Sequence, residues 1–271
     1  MALAKLREGL HVSASQLRTF LICPRRHALQ YQRGVPPAFV PQAVAFGSAF
    51  HAALGCYFGL IKETGAAPVL DELASVFRDA WANAADGPVP IQADDEEGVA
   101  DPTDKAVAML SAFLAHAAEL PLPEVIEVER AFALDVIDPS TGEQLEERLV
   151  GAMDLVVREH GRLVVTEIKT AARKWSSDQL RFDSQITAYQ LGAAALGWGE
   201  VGLRYLVITK GTKKPAVQVA DVMRDAQDVD DFLHTIVGVL RAIDAGVSYP
   251  LRETWKCRTC PHAHACSGST R

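Results

Sequence analysis

Val150 to Thr170 reads VGAMDLVVREHGRLVVTEIKT and holds the residues best suited to chemistry. Asp154 stands in one apolar run and Glu167 and Lys169 in the next, with Glu159-His160-Gly161-Arg162 between them. β-Branched runs joined by a short Gly-containing link predict a hairpin. Side chains alternate along a strand, so Glu167 and Lys169 share a face and Ile168 points away. Two carboxylates and an amine placed in this way can hold a divalent cation and a water, and hydrolysis of a phosphodiester needs both. A Glu-x-Lys pair on a strand is more often a solvated face with a weak cross-strand pair. The motif therefore depends on the rest of the chain for its meaning.

The elements around it follow from periodicity. Ser13-x-x-Gln16 caps a helix that Pro24 interrupts at Cys23, and a second helical piece stops at Gly34. AFGSAFHAALGCYFGLIK predicts an apolar helix with Ser48 as N-cap and His51 in its first turn. Leu70, Leu73, Val76, Phe77 and Trp81 mark an amphipathic helix over 68–85, and 105–120 predicts another. Strands begin near Glu124 and form an antiparallel meander of three. The third strand leads into one helix over 178–198 with Gln185 and Tyr189 four apart on one face. An apolar strand (VGLRYLVITK), parallel to its neighbour, comes next, then a short polar strand, a helix over 226–245 and a cysteine-bearing tail.

Composition narrows the class. In 271 residues, 49% of them hydrophobic, a sizeable core is available, and no run of eighteen apolar residues predicts a membrane span. The start, MALAKLREGL, lacks the apolar stretch of a signal peptide, so a cytoplasmic protein is expected. The net charge of −7 opposes nucleic-acid binding at first sight. Seven acids and no Lys or Arg lie between Asp86 and Asp104, however, and that expected loop accounts for the whole imbalance. A basic groove elsewhere remains compatible with the composition. Five cysteines without an export signal suggest metal rather than disulfides.

Gly47-x-x-x-His51, Gly151-x-x-Asp154, Glu167-x-Lys169, Gln185-x-x-x-Tyr189 and cysteines at both ends occur in this order over nearly the whole chain. The combination resembles the RecB-like branch of the PD-(D/E)xK nuclease superfamily. The resemblance implies a restriction-endonuclease-like α/β (α+β) fold, with a central mixed sheet flanked by helices. It divides the chain into a helical N-terminal region (1–120), a nuclease core (121–248) and a cysteine tail (249–271) packed back on the first helix. It implies Mg²⁺ or Mn²⁺ held by Asp154, Glu167, the Ile168 carbonyl and His51. Lys169 would orient or deprotonate the attacking water, and Gln185 and Tyr189 would position Lys169 or the DNA backbone. Carboxylate and carbonyl oxygens suit these hard cations.

Cys257-x-x-Cys260, Cys266 and the distant Cys23 resemble the iron–sulfur subset of the superfamily, similar to AddB-type nuclease domains and CRISPR-adaptation exonucleases. The resemblance implies a structural 4Fe–4S cluster on four thiolates. Zinc on three cysteines plus His262 or His264 is the alternative. Arg25, Arg26, Arg33, Arg173, Lys174, Lys210, Lys213 and Lys214 are candidate phosphate contacts, and Trp175 and Phe182 candidate stacking residues. The expected activity is a DNA exonuclease on single-stranded or frayed ends, serving repair, recombination, phage replication or CRISPR adaptation. No GxxxxGK[ST] helicase motif is present, so unwinding would need a helicase partner, and an integrase is a further candidate partner. A non-catalytic DNA-binding scaffold subunit and a structure-specific endonuclease are the competing readings.

Overall fold

The computed structural model describes residues 3–93, 102–211 and 214–266. The acidic run from Asp94 to Asp101 and Lys213 lie outside the described residues. The elements in chain order are α1 (Leu3–Leu6), β1 (His11–Val12), α2 (Ala14–Ile22), α3 (Pro24–His27), a π turn (Ala28–Gln32), β2 (Val40–Pro41), α4 (Gln42–Thr64), α5 (Leu70–Ala85), β3 (Ile91–Gln92), α6 (Thr103–Ala117), β4 (Glu124–Ile137), β5 (Gln144–Glu159) and β6 (Arg162–Ala171). They continue with α7 (Ser177–Phe182), α8 (Gln185–Ala195), β7 (Gly202–Thr209), β8 (Val217–Val222), α9 (Ala226–Asp244), α10 (Thr254–Arg258) and α11 (Ala263–Cys266).

The fold is mixed α/β, a central mixed sheet flanked by helices. β4, β5 and β6 form the antiparallel meander, β6 pairs parallel with β7, and β8 returns antiparallel. The β5–β6 link is tight because His160 and Gly161 both take the left-handed conformation (φ 49° and 80°), which matches strand twist. On one face of the sheet Met153, Val156, Val165 and Tyr205 pack with Ile186, Tyr189 and Ile236 from α8 and α9. On the other, Leu155, Val164, Ile168 and Leu206 pack with Phe50, Leu54, Phe77 and Phe113 from α4, α5 and α6. Among the described residues α4 alone is long and apolar enough to cross a membrane, and eight of its residues are buried in this second layer.

Three sequence expectations are corrected. α4 starts at Gln42, behind the fixed φ of Pro41, so Ser48 is inside it and His51 lies well past the first turn. The helix expected over 178–198 is two, because the Asp183 carboxylate accepts from Gln185 N (3.1 Å) and turns the chain between them. Lastly, the N-terminal region is not purely helical: β1 joins the main sheet, pairing His11 and Val12 with Arg148 and Leu149.

Candidate active site

The site begins as a break in strand pairing. Along one edge of β5, β6 is paired from Glu159 only as far as Leu155, opposite Thr166, and β1 pairs at Arg148 and Leu149. Between them, residues 150–154 pair with no strand on that edge among the described residues. Beyond Thr166, the Ile168 N–H donates to Asp154 Oδ2 (2.8 Å) instead of to a β5 carbonyl. Where the strands part, Asp154 of β5 and Glu167 of β6 lie beside each other.

Two glycines bring helix α8 close to this parting. A Cβ on Gly151 would meet the Phe132 ring at 2.5 Å, and one on Gly192 of α8 would meet the same ring at 2.6 Å. Phe132 is therefore sandwiched between bare backbone on both sides, and its ring stands edge-on to Tyr189 (6.1 Å). This close approach explains the glycine three residues before Asp154. On the opposite layer, Gly47 faces Thr170 at the end of β6, where its Cβ would lie 3.6 Å from Thr170 Oγ1. His51, one helical turn on, shares that face.

The polar groups form a directed chain. Lys169 Nζ lies 2.5 Å from Glu167 Oε1 and donates to Gln185 Oε1 (2.7 Å). Gln185 Nε2 in turn donates to the Tyr189 hydroxyl (3.1 Å). His51 Nδ1 stands 3.9 Å from Asp154 Oδ2. The side chains are withdrawn from solvent, Glu167 being 2% and Lys169 18% exposed.

Burial dominates the electrostatics. Desolvation first, and the neighbouring Asp154 second, push Glu167 up to about 8, although Lys169 opposes the shift. Desolvation also pushes Asp154 up to about 6, against its hydrogen bond from the Ile168 backbone and the charge of Lys169. Burial lowers His51, more than Glu167 raises it, so the imidazole is neutral and keeps a lone pair. Tyr189 is raised by burial and the nearby carboxylates, and stays a phenol.

The donors fit a divalent cation. Glu167 Oε2 is buried and has no hydrogen-bond partner, a costly state for a carboxylate oxygen. Two carboxylates, a backbone carbonyl and a neutral imidazole are the oxygen-rich set that Mg²⁺ or Mn²⁺ accepts. Among the described residues, no three His, Cys, Asp or Glu side chains are drawn together into a formed metal site.

Sequence reasoning missed Glu129. It lies on β4, where Val128 pairs with Leu155 and Arg130 with Met153, and its charge raises both Asp154 and His51. Its backbone is left-handed (φ 51°), unusual for a non-glycine residue and invisible in a residue pattern. Other assignments change place. Trp175, a candidate stacking residue, packs its ring on Tyr205 (5.3 Å) and under Lys169 Nζ (5.7 Å), so it supports the lysine. Arg25 donates from Nε to Ser248 O (2.6 Å) and ties down the tail. Lys210 lies over the Phe46 ring (4.7 Å). Arg33, Arg173, Lys174 and Lys214 are exposed.

The cysteines divide. The Cys260 thiol is raised mainly by burial and also by Cys23 and Cys266, while Arg26 opposes the shift. Cys257 is exposed, and the expected ring of four thiolates is not closed among the described residues, which also hold no formed metal group here. The tail nevertheless returns to the first helices: Ala38 N donates to Pro261 O (2.8 Å) and Arg25 N to Tyr249 O (3.1 Å). His262, 2% exposed, has an unpartnered Nδ1 at this junction.

A family model described as the PD-(D/E)XK nuclease superfamily matches residues 11–267. Among solved structures, one named "Putative exonuclease" from Eubacterium rectale is 14% identical, with TM-score 0.59, covering 100% of this chain and 91% of that one. The structure of SSO0001 is 13% identical with TM-score 0.42, covering 99% of this chain and 95% of that one. No curated protein matches the chain.

Proposed function

The chain belongs to the PD-(D/E)XK nuclease superfamily, and we propose that it is a Mg²⁺- or Mn²⁺-dependent DNA exonuclease acting on single-stranded or frayed ends. The observation carrying this reading is the parting of β5 and β6, with its unpartnered Glu167 oxygen beside Asp154 and Lys169. Asp154, Glu167, the Ile168 carbonyl and His51 would hold the cation. A divalent ion there supplies Lewis-acid activation of water and neutralises charge on the phosphate.

The chain's own groups do the rest. Lys169, fixed by Gln185, orients the attacking water and donates to the phosphate oxygen on which charge develops. Gln185 can hold that amine in one position because Tyr189 receives its other end, and Tyr189 is locked by Phe132. His51, kept neutral by burial, offers its nitrogen without a competing proton. Trp175 covers the lysine's far side and limits water there.

A 4Fe–4S cluster on Cys23, Cys257, Cys260 and Cys266 completes the proposal. Cys23 and Cys266 both bear electrostatically on Cys260, and soft sulfur donors suit iron. It would clamp both ends of the chain, and a helicase or integrase subunit would deliver the strand. Iron and acid-labile sulfide in anaerobically purified chain, lost in Cys260→Ser, support the cluster. Stoichiometric zinc retained in Cys257→Ser replaces it with a zinc site.

Labelled linear single-stranded, circular single-stranded and duplex DNA with Mg²⁺ or Mn²⁺ test the activity. Mononucleotides or short products from the linear single strand alone are expected. Cleavage of the circle makes the protein an endonuclease, and three intact substrates make it a scaffold.

A further inference from the structure

Phe182 ends α7 with its side chain 78% exposed, and Met223, just after β8, is 86% exposed. Large apolar side chains this free of contact usually occur singly and mean little. These two border one buried guanidinium. Arg224, 8% exposed, donates from Nη2 to Leu180 O (2.7 Å) and Asp183 O (3.3 Å), the residues on either side of the Phe182 segment. From Nη1 it donates to Met223 O (3.0 Å), and from Nε to Thr187 Oγ1 (3.2 Å) in α8. A buried arginine that uses its donors on carbonyls and a hydroxyl fixes backbone geometry, and here the fixed backbone presents two exposed side chains.

The same segment is rigidly tied to the candidate site. Asp183 Oδ1 accepts from Gln185 N (3.1 Å) and from the Tyr205 hydroxyl (3.2 Å). Gln185 receives Lys169, and Tyr205 backs Trp175. Only Asp183 and Ser184 thus separate the residue with the exposed ring from the amide that holds the candidate lysine. The nearby cation Arg181 is committed to Asp228 (2.7 Å), whereas Arg173 and Lys174, at the end of the strand that carries Lys169, are exposed.

We propose that Phe182, with Met223 beside it, is a stacking platform for a nucleobase of the single strand whose phosphate lies at Glu167 and Lys169. This rests on the nuclease reading above and adds how the strand is held. The occupant is a base because the surface is a ring and a thioether on a pinned backbone, with the exposed cations Arg173 and Lys174 on the same connection, not a broad apolar patch. Every base offers a π face, so such a platform holds any sequence. Arg224 fixes the backbone from which the ring projects.

The test is anisotropy of a fluorescent thymidine oligonucleotide, and of a matched oligonucleotide with abasic sugars, on the full chain with Ca²⁺ in place of Mg²⁺. Phe182→Ala is expected to weaken thymidine-oligonucleotide binding ~10-fold and to leave abasic binding unchanged. Phe182→Trp is expected to retain or tighten it. Equal weakening toward both oligonucleotides overturns the platform, as does no change toward either, the result expected if the patch receives a protein partner. Absence of any binding to either strand also overturns it. A chain that binds in this Phe182-dependent way but never cleaves keeps the platform and refutes the nuclease reading. One that cleaves while Phe182→Ala binds like the parent does the reverse.

Discussion

Glu167 and Asp154 are two acids that the fold makes difficult to ionise. The structure withdraws Glu167 from water, sets Asp154 beside it and leaves one of its oxygens without a donor. Glu167→Gln or Asp154→Asn should therefore lower phosphodiester hydrolysis at least ~100-fold, each factor of ten being about 1.4 kcal/mol of barrier. Without divalent ions, both variants should melt at or above the parent's temperature, since an amide is cheaper to bury than a carboxylate. A pH dependence follows. The folded metal-free chain holds the Glu167 proton more tightly than the unfolded chain, so the stability linked to it is full below the ordinary value of 4.5. It is lost as pH rises toward about 8. Chemical denaturation at pH 5 and pH 8 should show the metal-free chain weaker at pH 8, with the slope reduced in Glu167→Gln. Saturating Mg²⁺ should restore stability at pH 8 and release protons, seen as buffer-dependent heat in calorimetry.

Between elements, the decisive contact is Phe132 pressed between Gly151 of β5 and Gly192 of α8. Gly151→Ala and Gly192→Ala each force the ring to move, at a cost of about 1–3 kcal/mol in thermal or urea unfolding. Phe132→Leu in the same chain should recover part of that cost, and a double-mutant cycle would read the coupling. The Arg224 clasp acts on the α7–α8 corner. Arg224→Met leaves the carbonyls of Leu180, Asp183 and Met223 without their donor, about 1–3 kcal/mol for a buried unsatisfied group. If the corner positions Gln185 for Lys169, kcat should fall more than KM rises, and Arg224→Lys should recover part of kcat. An equal loss in stability with unchanged kcat would reduce the clasp to a structural brace.

Across the whole molecule, residues 248–261 return to residues 25–38. Arg25 holds Ser248 and Tyr249, Ala38 holds Pro261, and Cys23 and Cys266 bear electrostatically on Cys260. Arg25→Ala should lower the melting temperature by a few degrees and make the tail near Leu251 more sensitive to trypsin, read by mass spectrometry of the released peptide. If a metal or cluster clamps the junction, chelation of the parent should produce the same cleavage pattern.

The sequence alone determined the strand–turn–strand of Val150 to Thr170, the order β4–β5–β6 with parallel β7, and the facing of Glu167 and Lys169. These follow from period-two alternation, turn chemistry and the need for a crossover helix between parallel strands, all local rules. It also carried the glycine before Asp154, though not its reason, because the Phe132 ring comes from another strand. Tertiary structure decided the start of α4, the corner at Asp183, the left-handed Glu129 on β4 and the role of Trp175. Side-chain periodicity fixes none of these, because a residue pattern contains no distances. The acids could be read as a pair from their spacing, but only the parting of β5 from β6 sets them at one site.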